Sequence, residues 1–538
     1  MTAKKSFPAR SYADVRAALL AKREIALLDV REEDPHAQCH PLFAANFPLA
    51  RIELDAYARL PRRDVPIVLL DAGEGFAARA AERFDALGYT DVALLEDGLD
   101  GWIRAGGEVF RDVNVPSKAF GEFVEAQRHT PSLSAESVDA LLKSGDDVVV
   151  LDARRFDEYQ TMNIPGSISV PGAELVLRAR ALAPNPATRV IVNCAGRTRS
   201  IIGTQSLVNA GLPNPVAALR NGTIGWTLAG QTLEHGSGRQ FDPHAGRDAA
   251  TLDMSRHAAA TLADRAGVGR TTLAEAARWA ADPARTTYRF DVRTPAEYER
   301  AHAPGFRGAP GGQLVQETEM FAPVRGARVV LFDDDGVRAN MTASWLAQMN
   351  VDTYVVEHAS ADDLTETGPS PGDKPAAPPS DTIEPHALAA LLDDPASGTV
   401  VLDFTTSANH VKAHIPGAHW VLRSRLAPAY DDLRTLPDAK RYVVTCGSSA
   451  LAAYAAPEVA ALTGKPVQLL EGGTAAWVRA GLPVESGDTR LASPRIDRYR
   501  RPYEGTDNAR EAMNAYLEWE YGLVAQLERD GTHGFFVI

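Results

Sequence analysis

Arg189-Val190-Ile191-Val192-Asn193-Cys194-Ala195-Gly196-Arg197-Thr198-Arg199-Ser200-Ile201-Ile202 is the stretch whose reading decides this chain. Arg189 to Asn193 predict a short buried strand, Cys194 closes it, and a small polar loop leads into an apolar helix. A cysteine at a strand end, just before a tight loop that opens a helix, sits among converging backbone N–H groups. Those groups and the positive end of the helix dipole favour an anion. The same field favours thiolate over thiol, so a lowered pKa and a nucleophilic Cys194 are expected. Arg197 and Arg199 add positive charge at the rim. The stretch describes a reactive cysteine that handles anions.

Working outward, the surroundings of this stretch recur four times. Four apolar runs end in aspartate: Ala26 to Asp29, Val149 to Asp152, Tyr288 to Asp291 and Val400 to Asp403. Two residues later stand Arg31, Arg154, Arg293 and Thr405; eleven residues later stand His40, Asn163, His302 and His414. Ile164-Pro165-Gly166 and Ile415-Pro416-Gly417 follow as turn signals, with Ala303-Pro304-Gly305 in the third copy. A second strand (Pro66 to Leu70, Val190 to Asn193, Val329 to Phe332, Tyr442 to Thr445) then ends at Asp71, Cys194, Asp333 or Cys446. Helical sequence and a third strand follow (Val92 to Leu95, Val216 to Leu219, Thr353 to Val356, Val467 to Leu470). Copies one, two and four close on Gly-x-x-small-Trp at Trp102, Trp226 and Trp477; copy three lacks this ending. Repeats of roughly 110–140 residues are whole domains rather than solenoid units. Strands alternating with helices predict a parallel sheet flanked by helices, with functional loops at the strand carboxyl ends.

The totals agree with several cores. At 538 residues the chain is expected to hold about three to five domains. The net charge of −14 argues against a nucleic-acid partner, so an anionic substrate needs a local positive site. No apolar run is long enough to span a membrane, and Met1 to Pro8 has no apolar signal core, so a cytoplasmic protein is expected. Three cysteines, Cys39, Cys194 and Cys446, make no disulfide framework and no metal spacing. Cys39 lies outside the catalytic register, beside His36 and His40.

The ordered set Asp-x-Arg, Glu-Tyr, (His/Asn)-Ile-Pro-Gly, strand-Cys-loop-helix and Gly-x-x-x-Trp resembles the rhodanese domain. It is fullest in copy two: Asp152-Ala153-Arg154, Glu158-Tyr159, Asn163 to Gly166, Cys194 to Arg199 and Gly222 to Trp226. The fold class implied is α/β, four tandem rhodanese-like domains, each a small mainly parallel sheet flanked by helices, plus a C-terminal helical tail. The expected divisions are 1–120 (Asp71 at the cysteine position, inactive), 121–245 (catalytic Cys194), 246–370 (Asp333, inactive), 371–490 (Cys446) and 491–538 (tail). Residues 114–123, 235–252 and 365–382 read as boundaries, the last a semi-rigid linker through Pro369, Pro371, Pro375, Pro378 and Pro379.

The resemblance implies a sulfurtransferase that carries sulfane sulfur as a persulfide on Cys194, with no cofactor and no metal. Implied partners are a small anionic sulfur donor, thiosulfate or mercaptopyruvate, and a thiol or cyanide acceptor. Ala195, Gly196, Arg197, Thr198, Arg199 and Arg154 are the expected substrate-binding residues. The loop Cys194 to Arg199 has the sulfurtransferase length; related phosphatases use Cys-x5-Arg, and here that position is Ser200. In copy four, Cys446-Gly447-Ser448-Ser449 resembles the Cys-Gly-Ser-Gly loop of mercaptopyruvate sulfurtransferases, with Ser449 where that family has glycine. Gly447, Ser448 and Ser449 are its candidate binding residues, with charge expected from Arg423 and Arg425. A second reading is mercaptopyruvate chemistry at Cys446, and a third is a non-turnover sulfur-relay or protein-interaction scaffold.

Asp71 and Asp333 cannot carry sulfane sulfur. Two readings stand for them: each carboxylate folds into its own amide cradle, mimicking a bound anion, or the cysteine was simply lost from a supporting domain. Asp29, Asp152, Asp291 and Asp403 are expected to accept N–H bonds at the next turn, and the three tryptophans to be core anchors. Asn508 to Asp530 reads as one amphipathic helix (Met513, Tyr516, Leu517, Leu523, Leu527) that docks on a domain or across a homodimer.

Overall fold

The apolar runs that end in aspartate are the inner strands of four separate sheets. In this computed structural model, residues 5–370, 372–433, 439–505 and 507–538 are described; the linker residue Pro371 falls outside them. Each sheet has five strands in the spatial order first, fifth, fourth, second, third, all paired in parallel. In unit two these are Ser132–Leu133, Val148–Asp152, Ile168–Ser169, Arg189–Asn193 and Val216–Leu219. The central run Val190 to Asn193 is buried, as a parallel strand covered on both faces requires. Unit three repeats the plan with Arg328–Phe332 and Asp352–Val356 at its centre.

Each Asp at a strand end accepts the N–H two residues on: Arg31, Arg154, Arg293 and Thr405. The arginines also close fully buried ion pairs on those carboxylates. In unit four, where threonine replaces arginine, His410 Nδ1 takes the Asp403 carboxylate at 2.8 Å. His40, Asn163, His302 and His414 each form an antiparallel bridge to the segment closing their unit. The register seen in the sequence is therefore a register in space.

The units pair. Gly172 of unit two and Gly312 of unit three approach so closely that a Cβ on Gly312 would stand 3.0 Å from the Gly172 nitrogen. Units four and one meet at the same position of the repeat, where Arg423 donates to the Ala50 carbonyl and to Glu53. Gly172, Gly311, Leu49 and Arg423 all lie twenty residues after their strand aspartate. Each cysteine-bearing unit thus faces a carboxylate-bearing unit through equivalent surfaces.

Two of the expected boundaries carry helices, and the expectation of one tail helix changes. The boundary at 114–123 is mostly helix, Val115–Arg128, because Val115, Ala119, Phe120 and Val124 form a buried stripe. That at 235–252 runs into another helix, Ala249–Arg265. The tail is two helices, Arg510–Tyr521 and Leu523–Asp530, parted at Gly522. All five apolar residues named above are buried, and they dock within the chain. Phe535 beyond them stacks edge-on against Phe43 and Phe120.

Candidate active site at the Cys194 loop

Cys194 ends its strand with a side chain that is almost fully buried, and the helix Thr198–Asn209 starts four residues on. The glycine of the Gly-x-x-small-Trp ending explains why that ending accompanies the loop. Gly222 has φ +54 and passes so near the Cys194 carbonyl that a Cβ would lie 2.2 Å from its oxygen. Its neighbour Thr223 donates its N–H to that carbonyl at 2.9 Å. Gly98 and Gly473 make the same approach to the Asp71 and Cys446 carbonyls. The tryptophans anchor this turn: each is buried, and its indole donates to a carbonyl six residues later.

The two aspartate units display what the cradle holds. Asp71 accepts the N–H of Gly73 and of Ala77, at 3.1 and 2.9 Å. Asp333 accepts those of Gly336 and Ala339, at 3.0 and 2.9 Å. Both side chains are turned into their own loops and away from water. Asp333 is pushed well above the usual carboxylate range by burial and by the charge of Asp335. In all three loops the amide six residues on points back: Ala77, Ala339 and, at Cys194, Ser200. The Cys194 thiol also donates to the Ser200 hydroxyl at 3.5 Å, which donates to the Arg197 carbonyl.

The expected low pKa of Cys194 is not what the closed loop produces. Burial pushes the thiol up; the Arg199 guanidinium and the Ser200 hydroxyl and amide pull the other way without reversing it. Desolvation of a small anion outweighs one neighbouring cation and a few dipoles here.

Of the expected binding residues, Arg199 stands nearest this role. Its guanidinium pairs with Glu158 at 2.8 Å, lines an open cleft over the loop, and feels the Cys194 charge. Arg197, expected beside the substrate, is committed elsewhere. It pairs with Glu122 and Glu125 on the helix Val115–Arg128, donates to Asn221, and stacks on Tyr521. Arg154 is held by Asp152 and the Met162 carbonyl, yet it too borders the cleft. Thr198 packs against Gly121, where a Cβ would meet its Cγ2 at 3.0 Å. The Ala195 carbonyl accepts from Ile224 and Thr223. Gly196 lies under the tail: a Cβ there would meet Tyr516 Cε1 at 3.2 Å and Glu520 Oε2 at 3.5 Å.

At Cys446, Gly447 and Ser448 are exposed and Ser449 has φ +70. Serine therefore occupies the left-handed conformation that glycine adopts freely, its hydroxyl donating to the Leu470 carbonyl at 2.6 Å. Arg423 is not available to this loop; it is bound by Glu53 and Glu458. The guanidinium of Arg425 lies over the Phe76 ring of unit one.

The tail's part was not read from the sequence. Lys118 pairs with Asp112 at 2.7 Å and sits within 6 Å of the Tyr503, Tyr516 and Trp519 rings, clasping the tail to the helix that holds Arg197. Beside it Glu520 is fully buried, bonded to the Tyr516 hydroxyl, and pushed up to about 8 by burial and the Glu122 charge. A carboxyl whose pKa rises on folding binds a proton in the folded state, so its contribution falls as pH climbs from the ordinary carboxylate range to about 8. The slope is at most about 1.4 kcal/mol per pH unit. Glu520→Gln is expected to gain stability relative to the parent on going from about pH 6 to about pH 8.5 in urea unfolding. An unchanged difference at the two pH values would contradict this.

The family model described as the rhodanese-like domain matches residues 12–105, 134–229 and 384–480, together more than half the chain. The crystal structure of a thiosulfate sulfurtransferase from Pseudomonas aeruginosa is 66% identical, with a TM-score of 0.96 over 99% of this chain and 100% of that one. A putative sulfur carrier protein of Bacillus subtilis, YrkF, is 24% identical over 145 residues, 25% of this chain and 77% of its own length. The match of units one, two and four to the family model, with the same sheet order in unit three, places this chain in the rhodanese-like domain family as four tandem units of that fold.

Proposed function

We propose that this protein is a thiosulfate sulfurtransferase that works through a persulfide on Cys194. The carrying observation is the amide six residues on, which faces the side chain of Asp71, Asp333 and Cys194 alike and would hold an anionic sulfur attached to Cys194 as it holds the two carboxyls. The likeness to the P. aeruginosa thiosulfate sulfurtransferase over nearly the whole chain supports the donor. In the first step the Cys194 thiolate attacks the outer sulfur of thiosulfate. The S–S bond of the donor breaks, its electron pair leaves with sulfite, and the transferred sulfur stays on Sγ with its negative charge among the loop amides. In the second step an acceptor nucleophile takes that sulfur, and the bonding pair returns to Sγ. Arg199 faces the charge that develops on the leaving group.

Because the thiolate is the nucleophile and burial raises the Cys194 pKa, sulfur pickup is expected to rise with pH through and above the ordinary thiol range. Arg199→Gln is expected to shift that profile further up and to lower kcat/KM for thiosulfate by about 10²-fold. Stopped-flow persulfide formation across pH checks both; a rate already flat below about pH 7 would contradict the assignment.

Mercaptopyruvate chemistry at Cys446 is the second reading, favoured by one observation, the exposed Gly447–Ser448 turn over a buried cysteine. Comparing Cys194→Ser and Cys446→Ser with both donors separates the two. Strong cyanide turnover would count against a pure relay scaffold.

A further inference from the structure

The cleft over the Cys194 loop is too large for the donor. Its volume is about 920 Å³, at the upper end of sites for organic ligands, about 300–1,000 Å³, and a thiosulfate ion fills a small part of it. Ala195 and Arg199 of the loop border it. The short helix Phe156–Thr161 of unit two, Gln316 of unit three and Ser407 of unit four supply further walls, and the tail segment Arg495 to Gly505 closes it. The lining holds seven arginines and four carboxylates on a chain whose net charge is −14; Arg154 and Arg501 are spent on Asp152 and Glu33 behind the wall.

The tail arginines are of two kinds. Arg501 is largely buried and ties the tail to Glu33 of unit one. Arg495, Arg498 and Arg500 are 41–56% exposed and, among the described residues, pair with acids close to them in sequence, Asp488 at the end of unit four and Glu504 and Asp507 of the tail. Exposed pairs of this kind contribute about 0–1 kcal/mol, so a ligand's acidic groups exchange for them at little cost. Guanidinium forks match carboxylate and phosphate equally in shape.

We infer that this cleft is the acceptor's site, and that it selects a small organic thiol carrying two or more carboxylate or phosphate groups, held by Arg495, Arg498 and Arg500 with its sulfur at the Cys194 loop. The inference rests on the sulfurtransferase reading for its chemistry. The acceptor thiolate attacks the outer sulfur of the protonated persulfide; the bond to Sγ breaks, its electron pair restores the Cys194 thiolate, and the proton leaves with the transferred sulfur on the acceptor. No net oxidation occurs.

The test uses the full chain and three tripeptides of matched shape: Asp-Cys-Asp, its phosphoserine-flanked counterpart, and the neutral Asn-Cys-Asn. Persulfide is formed with thiosulfate, the donor is removed, and its decay with each thiol is followed by mass, corrected for thiolate fraction. The acidic peptides are expected to react at least about tenfold faster than the neutral one at low ionic strength, the advantage shrinking in high salt and in Arg498→Gln/Arg500→Gln. Which acidic peptide leads identifies the acid the arginines take. Equal rates for all three, or a preference that survives the double substitution, would overturn the inference. A second arm needs no persulfide: S-methylated Asp-Cys-Asp is titrated calorimetrically into Cys194→Ser. Binding that weakens at least about tenfold with the two arginine substitutions supports the site; no binding, or binding indifferent to them, overturns it. Failure to form persulfide would count against the sulfurtransferase reading alone, because the binding arm reads the cleft directly.

Discussion

Cys194→Ser is expected to lose at least about 10³-fold in thiosulfate-supported cyanide turnover, with Cys446 still in place. Serine keeps the loop: it is nearly the same size, and the Ser200 amide still has an acceptor to face. What it cannot do is accept a sulfur atom and release it again, because an alkoxide is neither formed at ordinary pH nor a good leaving group from sulfur. Cys446→Ser is expected to change the same turnover little. Its loop brings no arginine, the Ser449 hydroxyl is spent on a carbonyl, and Arg423 is bound elsewhere. A steady-state assay of both variants checks the pair; a Cys194→Ser enzyme retaining most of its turnover would move the chemistry to Cys446.

The second large effect is on stability. Arg338 occupies in unit three the place Arg199 has in unit two, five residues after the cradle residue, but it serves the interface. It is fully buried and pairs with Asp335, Glu297 and Asp334 of its own unit and with Glu174 of unit two at 2.8 Å. Glu174 in turn holds Arg178. Arg338→Met keeps the volume and removes the one fully buried cation these four carboxylates share, leaving the partly exposed Arg247 to Glu297, Asp334 and Asp335 and Arg178 to Glu174. Stranding buried charge costs about 3–5 kcal/mol, so urea unfolding is expected to show a loss of that order, reduced where low pH protonates the acids. The contrasting control is Arg490→Gln, which breaks a pair with Glu485 that is about two-fifths exposed on both sides and is expected to cost under about 1 kcal/mol. Similar losses from the two substitutions would contradict this view of the interface.

These two residues show what a single sequence reveals and what it does not. Cys194 and its loop were legible because the strand, the glycine ending and the tryptophan are local, and because four copies repeat one register. The amide cradles of Asp71 and Asp333 followed from the same register, since a carboxylate at a strand end has its own loop's N–H groups within reach. The fate of Arg197 was not legible. Loop arithmetic places it at the rim, but its partners Glu122 and Tyr521 lie 75 and 324 residues away. Lys118 and Glu520 escaped for the same reason: an amphipathic pattern says which face of a helix is buried, not what it is buried against. The short outer strands, such as Ser132–Leu133 and Ile168–Ser169, are too brief to carry a period of their own. The loop's dipoles are visible in sequence and predict a lowered Cys194 pKa, whereas the burial that pushes it up is a property of the packed units around it.

The most direct measurement is intact mass followed by peptide mapping after exposure to thiosulfate and removal of excess donor. The account predicts about 32 Da added to the peptide containing Cys194, lost again on adding cyanide. An unmodified Cys194 peptide in a protein that releases sulfite from thiosulfate would contradict it.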